Sequence, residues 1–224
     1  MKSDFTKTNL FSWPIYKICI DPNSYDKEKI INDIKYNKSL KTTRNGAHQM
    51  IGNHISDIHH SYNDFENINF RTINYETLID ANLKIFKEFF NNEISTTKEL
   101  GFTFNIVNYS AVTEGQYLPS HMHIPTADFA TIHYLNFKDD HNPTCFRSPV
   151  SWAPHLHFIL AEFSDTLDII EPDNSYFLTN FLFPVQEDDI IIFPSAVDHQ
   201  VMEQGPTDEP RVTISTNIKI TVRT

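Results

Sequence analysis

The apolar residues in the first hundred positions follow two different periods. Residues 13–20 alternate apolar and polar side chains, which predicts a strand. Pro14 near its start cannot donate a backbone hydrogen bond, so we expect this strand at a sheet edge. Residues 25–40 and 75–91 instead place apolar side chains on one side of a helix, which predicts two amphipathic helices packed against a sheet.

Both predicted helices have a candidate N-cap. Ser24 precedes the first helix, and Thr72 or Asn74 precedes the second. The second helix has the more regular apolar stripe, which we interpret as core: Leu78, Ile79, Leu83, Phe86 and Phe90. Residues 41–72 follow neither period, and we expect a long loop on the substrate side that contains His48, His54, His59 and His60.

From residue 102 onward the apolar pattern becomes that of strands. Short β-favouring runs are divided by Pro, Asn, Asp and Gly, and they lie at 102–109, 128–137, 155–161, 175–183, 188–193 and 211–222. Helices followed by strands predict an α+β, mainly β protein with its N-terminal helices packed on one face of a β-sandwich. We expect a single domain, residues 1–224, in which 1–99 form the N-terminal part and 100–224 the β-rich core.

The composition narrows the possible partners and the cellular location. Eighteen Lys and Arg against 29 Asp and Glu leave a net charge of −11, which opposes binding to nucleic-acid phosphates and to anionic membranes. Cys19 and Cys145 are far apart and form no CxxC motif, which favours a reducing environment. Because the sequence shows neither a signal peptide nor an apolar window of membrane-spanning length, we expect a soluble, cytoplasmic protein.

Candidate metal ligands stand before the strand predicted at 128–137. His121 and His123 are two residues apart, so on an extended backbone both imidazoles point to one side, where they form a potential pair of ligands. His199 follows another predicted strand and supplies a third imidazole. Arg211 opens the last strand, and an antiparallel return of the chain brings its guanidinium near the metal, where it suits an anion.

Other histidines are weaker candidates for ligands. His155 and His157 form a second His-x-His pair, but no arginine-led strand follows them at a similar distance, and we interpret them as structural or substrate-facing. His133 lies within a predicted strand, where a hydrogen-bonded core histidine is more common than a ligand. A separate hydrolytic zinc site in the His-rich stretch 48–60 has little support, because no acidic partner stands there at metal-ligand spacing.

This order of motifs resembles the iron(II)- and 2-oxoglutarate-dependent oxygenases, whose double-stranded β-helix carries His-x-Asp/Glu, a distal His, and an Arg or Lys about ten residues later. The likeness is greatest to members, often virus-encoded, in which the first motif reads His-x-His. It spans about residues 100–222 and rests on four segments: His121-x-His123, Phe129 to Leu135, Phe193-Pro194-Ser195 before His199, and Arg211-x-Thr213-x-Ser215-x-Asn217.

The resemblance implies a double-stranded β-helix of the jelly-roll or cupin-like kind with a catalytic Fe(II). By this likeness His121 and His199 ligate the iron. His123 stands where the wider superfamily has a carboxylate, so the triad consists of three histidines unless Asp128 or an exogenous ligand supplies the anion. Three neutral imidazoles leave more positive charge at the metal, which also favours other divalent cations.

By the same resemblance, Arg211 holds the distal carboxylate of 2-oxoglutarate in a bidentate pair. The candidates for further hydrogen bonds to 2-oxoglutarate are Thr213, Ser215, Tyr109 and Tyr134, although either tyrosine fits the core of the sandwich equally well. The implied function is hydroxylation of a peptidyl (for example prolyl) or small-molecule C–H bond, with 2-oxoglutarate and dioxygen as partners. The alternative is a cupin-like metal-binding or structural module without redox activity.

Overall fold

The computed structural model describes residues 14–40, 59–61, 69–93, 97–148 and 180–222. Within these residues the protein is mainly β, with few helices and two antiparallel sheets. The helices are α1 (Lys27–Ser39) and α2 (Glu76–Glu93), and a short 3-10 helix covers Pro22–Ser24. The strands are β1 (Tyr16–Cys19), β2 (His59–His60), β3 (Leu100–Val112), β4 (Leu118–His121), β5 (Phe129–Asn136), β6 (Thr144–Arg147), β7 (Asn180–Leu182), β8 (Asp189–Pro194), β9 (His199–Val201) and β10 (Arg211–Val222).

The ten described strands divide into a large and a small sheet. The large sheet has the order β1-β8-β5-β10-β3-β2, and the small sheet has the order β4-β9-β6-β7. From β3 to β6, successive strands alternate between the two sheets, and from β7 to β10 they alternate again. The chain therefore builds both sheets together, and every residue of β5 and β10 has neighbours that are distant in sequence.

The two faces of the large sheet pack against different partners. Both helices cover one face, which we call the helix side, through a large apolar core that includes Ile34, Phe86 and Ile214. The other face, which we call the cleft side, packs against the small sheet through a second cluster that includes Ile132 of β5 and Phe146 of β6. Because strand residues alternate between faces, each position of β3, β5, β8 and β10 is committed to one environment.

The helices lie where the apolar stripes predict, with differences at their ends. Ser24 is not the N-cap of α1, because the 3-10 helix occupies that position and α1 begins after Asp26. Asn74 accepts a hydrogen bond from the backbone N–H of Glu76 at 2.9 Å, so it satisfies the first turn of α2 as predicted. Ile79 is 38% exposed and lies outside the core stripe.

The longer strands were predicted, and several short ones were not. The predicted edge strand is β1, which pairs only with β8 at one end of the large sheet. Strands β4, β6 and β9 have four residues or fewer, too short for an alternating pattern. His59 and His60 form strand β2 instead of loop, while the rest of the predicted loop lies largely outside the described residues. The strand predicted at 155–161, with His155 and His157, also lies outside them. Neither described helix is both long and apolar enough to cross a membrane.

Candidate metal centre

Two neighbouring strands of the small sheet bring the three candidate ligands together. His121 is the last residue of β4 and lies opposite His199, the first residue of β9. His123 follows β4, and its backbone N–H donates to the carbonyl of Ser195 at 2.9 Å, which ties it to the end of β8. The local sequence therefore provides the His-x-His spacing, and strand pairing supplies the third imidazole.

The three imidazoles are close enough to share one cation. Their potential ligand nitrogens all lie within 4.8 Å of one another, and no other group of His, Cys, Asp or Glu in the described ranges has this arrangement. The ring centroids of His121 and His199 are 4.4 Å apart, and the ring centroid of His123 lies 5.4 Å from that of His121 and 5.2 Å from that of His199. With metal–nitrogen bonds of about 2.1 Å, small ring rotations bring all three nitrogens to a common metal.

Backbone carbonyls fix the orientation of two of these rings. Nδ1 of His121 donates to the carbonyl of Pro119 at 2.9 Å, and Nδ1 of His199 donates to that of Val197 at 3.0 Å. The acceptors are carbonyls, so Nδ1 carries the proton and Nε2 keeps its lone pair for a metal. This is the arrangement found around histidines that ligate metals.

Burial keeps the three rings neutral. Desolvation is the largest cause in each case: it lowers the pKa of His121, lowers the pKa of His123 to about 4 and lowers the pKa of His199 to about 3. The mutual proximity of the rings adds to the shift for His123 and His199. Neutral imidazole is the form that binds a metal, so the site is chemically ready for a cation at neutral pH.

Arg211 is a fully buried cation at the start of β10. Its guanidinium donates to the hydroxyl of Thr144 at 3.2 Å and to that of Thr213 at 3.5 Å, and it lies 5.1 Å from the ring centroid of Tyr134. Burial lowers its pKa, and no carboxylate of the described residues pairs with it. Its Nε, also buried, makes no hydrogen bond to the described residues. A buried guanidinium without an anion is a strong indication of an anion-binding site.

Tyr134, Thr213 and Ser215 lie on the same side of the large sheet as Arg211. Tyr134 and Thr213 are opposite each other in register, and Ser215 is opposite Ile132, which belongs to the cluster between the sheets. The Tyr134 hydroxyl donates to Thr144 at 2.6 Å, so both it and Arg211 use the same acceptor. The structure thus places all three predicted residues on the cleft side, and two of them, Tyr134 and Thr213, beside the Arg211 guanidinium.

Tyr109 lies on the wrong side of the sheet for the role expected of it. It is opposite Ile214 on β10 and belongs to the core under the helices. Its hydroxyl is hydrogen-bonded to His59 at 3.0 Å. We therefore correct its assignment from co-substrate binding to the helix-side core. Tyr109 is adjacent to Ser110 in β3, and neighbouring residues of a strand point to opposite faces of the sheet.

Two open alternatives for the metal centre can also be decided. Asp128 does not complete the site, because its carboxylate accepts from Lys219 at 2.9 Å and from the backbone N–H of Ile220 at 2.7 Å. His133 lies on the helix side, where its Nε2 is 3.4 Å from the hydroxyl of Tyr25. It is a core histidine with no access to the cleft.

His60, which the sequence analysis expects in a loop on the substrate side without a role of its own, also lies on the cleft side. It lies opposite Ser110, which in turn lies opposite Thr213, so the three side chains form a row on the cleft side. Its side chain is almost fully buried, and its pKa is lowered to about 3 by burial and then by His59 and His121. The only signal in the sequence was the His59-His60 pair itself, in a segment without periodicity.

Strand β6 connects the two halves of the site. Thr144 accepts from Arg211, and Phe146 lies opposite His199 with their ring centroids 5.9 Å apart. Two residues along a strand correspond to about 6–7 Å. The guanidinium and the imidazole cluster therefore lie beside two positions of β6 that share one face, Thr144 and Phe146.

Comparison with known families agrees with this geometry. Residues 108–217 match the sequence model of a family described as "Putative 2OG-Fe(II) oxygenase", and this stretch includes every candidate site residue named from the sequence. The match confirms the resemblance of the β-rich part of the chain to the iron(II)- and 2-oxoglutarate-dependent oxygenase superfamily. No curated protein matches the sequence.

Two solved structures share the fold at low sequence identity. The protein is similar to a prolyl-4-hydroxylase from Pseudomonas putida, with 10% identity, coverage of 92% of both chains and a TM-score of 0.50. It is also similar to a prolyl hydroxylase from Trichoplax adhaerens in complex with a peptide fragment of the hypoxia inducible factor oxygen degradation domain, with 11% identity, coverage of 92% of this chain and 83% of that chain, and a TM-score of 0.50. A 2OG-Fe(II) family oxidoreductase from Burkholderia pseudomallei matches with 11% identity over 66% of this chain, which spans 61% of that protein's length, and a TM-score of 0.41.

Proposed function

We propose that this protein is an Fe(II)- and 2-oxoglutarate-dependent dioxygenase that hydroxylates a C–H bond of a peptidyl residue or a small molecule. The observation that carries the proposal is the pairing of three neutral imidazoles with a buried guanidinium that lacks an anion. The family match supports the same chemistry. The strand order of the two sheets supports a double-stranded β-helix, which we propose as the fold.

The donor set fits an iron centre with open coordination positions. His121, His123 and His199 would hold the metal through three neutral nitrogens. Three protein ligands leave room for a chelating 2-oxo acid and for dioxygen, whose activation for C–H hydroxylation is the chemistry that iron and 2-oxoglutarate supply when bound. Phe146 and Phe193 pack against His199 and limit the access of water to that side of the centre.

The charge of the cleft fits a dianionic co-substrate. The three imidazoles do not neutralise a divalent cation, and Arg211 adds another positive charge that is fully buried. A 2-oxo dicarboxylate offsets both charges, one carboxylate at each end of the molecule. Thr213 and Thr144 hold the guanidinium in place through their hydroxyls, so its orientation is set before the co-substrate arrives.

The rim beside His123 suits an apolar part of the prime substrate. Met122 and Ile124 flank this histidine and are 49% and 51% exposed. Exposed apolar side chains next to a metal centre offer a contact surface for a proline or another apolar group. Since two structures of the same fold are prolyl hydroxylases, one with a bound peptide, proline-containing peptides are the first class of substrate to test.

The proposal is tested by turnover of 2-oxoglutarate. We expect the protein with Fe(II), 2-oxoglutarate and oxygen to form succinate, even slowly without a prime substrate, and we expect Arg211→Ala to abolish this. Screening of proline-containing peptides then measures the stimulation of succinate formation. Metal binding without any thermal shift on addition of 2-oxoglutarate contradicts the proposal and favours the alternative of a metal-binding module without redox activity.

A further inference from the structure

The three histidines of the metal centre differ in how their rings are held. Carbonyl groups two residues earlier in the chain accept hydrogen bonds from the rings of His121 and His199. His123 has a side chain as its neighbour instead. The side-chain amide of Asn217 lies within hydrogen-bonding reach of the His123 imidazole.

Asn217 projects from β10 toward the cleft. It follows Arg211, Thr213 and Ser215 on the same side of the strand, and it lies opposite Ala130 of β5. Ala130 is small, which leaves space beside it, and the next residue across the sheet is Phe193, whose ring centroid lies 4.8 Å from that of His199. Register therefore places Asn217 in the row of the large sheet that faces the imidazoles.

The amide of Asn217 has an unused hydrogen-bonding atom. Its Oδ1 is buried and makes no hydrogen bond of good geometry with any residue that the structure describes. A buried acceptor without a hydrogen bond is destabilising, so such an atom usually has a partner in the functional state. Hydrogen bonds around an active centre are often misaligned before the ligand binds and improve once it is present.

We propose that Asn217 is a positioning residue of the metal centre: Oδ1 accepts a hydrogen bond from the ring nitrogen of His123 that does not bind the metal. The inference rests on the proposed function, because it requires a cation at the three histidines. It gives His123 the same kind of support that Pro119 and Val197 give the other two ligands. Fixing the proton on one nitrogen leaves the other nitrogen free to ligate.

The proposal has a consequence for charge. The metal centre has no carboxylate ligand, and an aspartate at position 217 would place a carboxylate behind His123 as a stronger acceptor than an amide. Carboxylate–histidine–metal arrangements increase the basicity of the ligand. Asn217→Asp is therefore expected to bind metal at least as tightly as the wild type, whereas Asn217→Leu removes the acceptor and keeps a similar volume.

The experiment is a titration of metal-free protein with Co(II), followed by its visible spectrum. We expect Asn217→Leu to raise the Kd about 10–100-fold and to alter the cobalt bands, with no loss of stability in the absence of metal. The matched control is Asn105, which lies directly opposite Asn217 on β3 and is exposed to solvent. Asn105→Leu and Asn105→Asp should leave both the Kd and the spectrum unchanged.

The outcomes separate this inference from the proposed function. If the wild type binds Co(II) in a manner that depends on His199 and Asn217→Leu binds it equally well with the same spectrum, Asn217 has no positioning role and the metal centre still stands. If the wild type does not bind Co(II), or if His199→Ala binds it unchanged, both fall. Weaker Co(II) binding by Asn217→Leu together with tight Co(II) binding by Asn217→Asp supports the inference. If the amide had only a structural role, a buried carboxylate could not replace it without loss.

Discussion

His133 and His199 are both 2% exposed, yet they lie in different environments. His133 is on the helix side of the large sheet, near the hydroxyl of Tyr25 and surrounded by the apolar core. His199 is in the cleft, with two other imidazoles around it. Burial lowers the pKa of both rings to about 3, so neither burial nor pKa distinguishes a core histidine from a candidate metal ligand.

The same contrast holds for other pairs on the two sides of the sheet. Tyr109 and Tyr134 are both fully buried. The hydroxyl of Tyr109 is hydrogen-bonded to His59 under the helices, whereas that of Tyr134 is hydrogen-bonded to Thr144 beside Arg211. Buried polar atoms without a hydrogen-bond partner among the described residues occur on both sides: Asn82 Oδ1 and His133 Nδ1 on the helix side, and Arg211 Nε and Asn217 Oδ1 on the cleft side. The cleft side differs because it groups three imidazoles and a buried guanidinium that has no carboxylate partner among the described residues, and this grouping marks the candidate functional face.

The largest expected effect is the loss of metal from the cleft. His199→Ala removes one of three ligands and should weaken divalent metal binding by more than about 100-fold. His133→Ala should leave the metal Kd unchanged while lowering the free energy of unfolding by about 1–3 kcal/mol, since it leaves a cavity and a lost contact with Tyr25. Metal titration and urea denaturation of both variants measure this. Equal metal binding by the two variants would show that the cleft is not the metal centre.

Replacing the buried cation should have opposite effects on stability and on binding. Arg211→Met removes a charge that has no anionic partner among the described residues, and we expect the unliganded protein to gain about 1–3 kcal/mol in the free energy of unfolding. The same variant should lose the thermal shift caused by 2-oxoglutarate in the presence of Mn(II).

A surface arginine provides the control for this variant. Arg71 is half exposed and pairs with Asp33 at 3.0 Å, so Arg71→Met should change stability by less than about 1 kcal/mol and leave the thermal shift intact. A normal shift with 2-oxoglutarate in Arg211→Met would argue against an anion site at this position.

Buried neutral histidines on both sides predict the pH dependence of the metal-free protein. The pKa of His133 is about 3 in the folded state and about 6.5 when unfolded, so between these values the unfolded state binds more protons. Stability should therefore be highest above pH 6.5 and fall as the pH decreases, by about 1.4 kcal/mol per pH unit for each such group. Urea denaturation between pH 4.5 and 7.5 measures the slope. His133→Asn should reduce it by about one proton, and an unchanged slope would contradict the assignment.

The smallest expected effects separate two adjacent histidines. His59→Phe removes the 3.0 Å hydrogen bond to Tyr109 on the helix side and should cost about 1–2 kcal/mol of stability without affecting ligand binding. His60→Phe changes the cleft side, in the row of Ser110 and Thr213, and should weaken 2-oxoglutarate binding about five-fold, or about 1 kcal/mol. Calorimetric titration of the Mn(II)-loaded variants with 2-oxoglutarate measures the effect on binding. Equal affinities of the two variants would contradict the placement of His59 and His60 on different sides of the sheet.

The sequence alone determined the features that depend on local period. The helical spacing of Leu78, Phe86 and Phe90 predicted α2, and Arg211-x-Thr213-x-Ser215-x-Asn217 predicted side chains that share one face of β10. The spacing of His121 and His123 likewise follows from two residues of extended chain. These features depend on the periodicity of the backbone over a few residues, so they can be predicted without knowing how the elements pack.

Only the tertiary structure decided which face of each strand lines the candidate site and which distant residues meet. Alternation along β3 shows which residues share a face, but it does not show which face the helices cover. For this reason the sequence analysis assigns Tyr109 to co-substrate binding, although it lies in the core under the helices. The pairing of His121 with His199 and the position of His60 depend on register between strands far apart in the chain. Register is set by long-range burial and hydrogen bonding, which no local pattern contains.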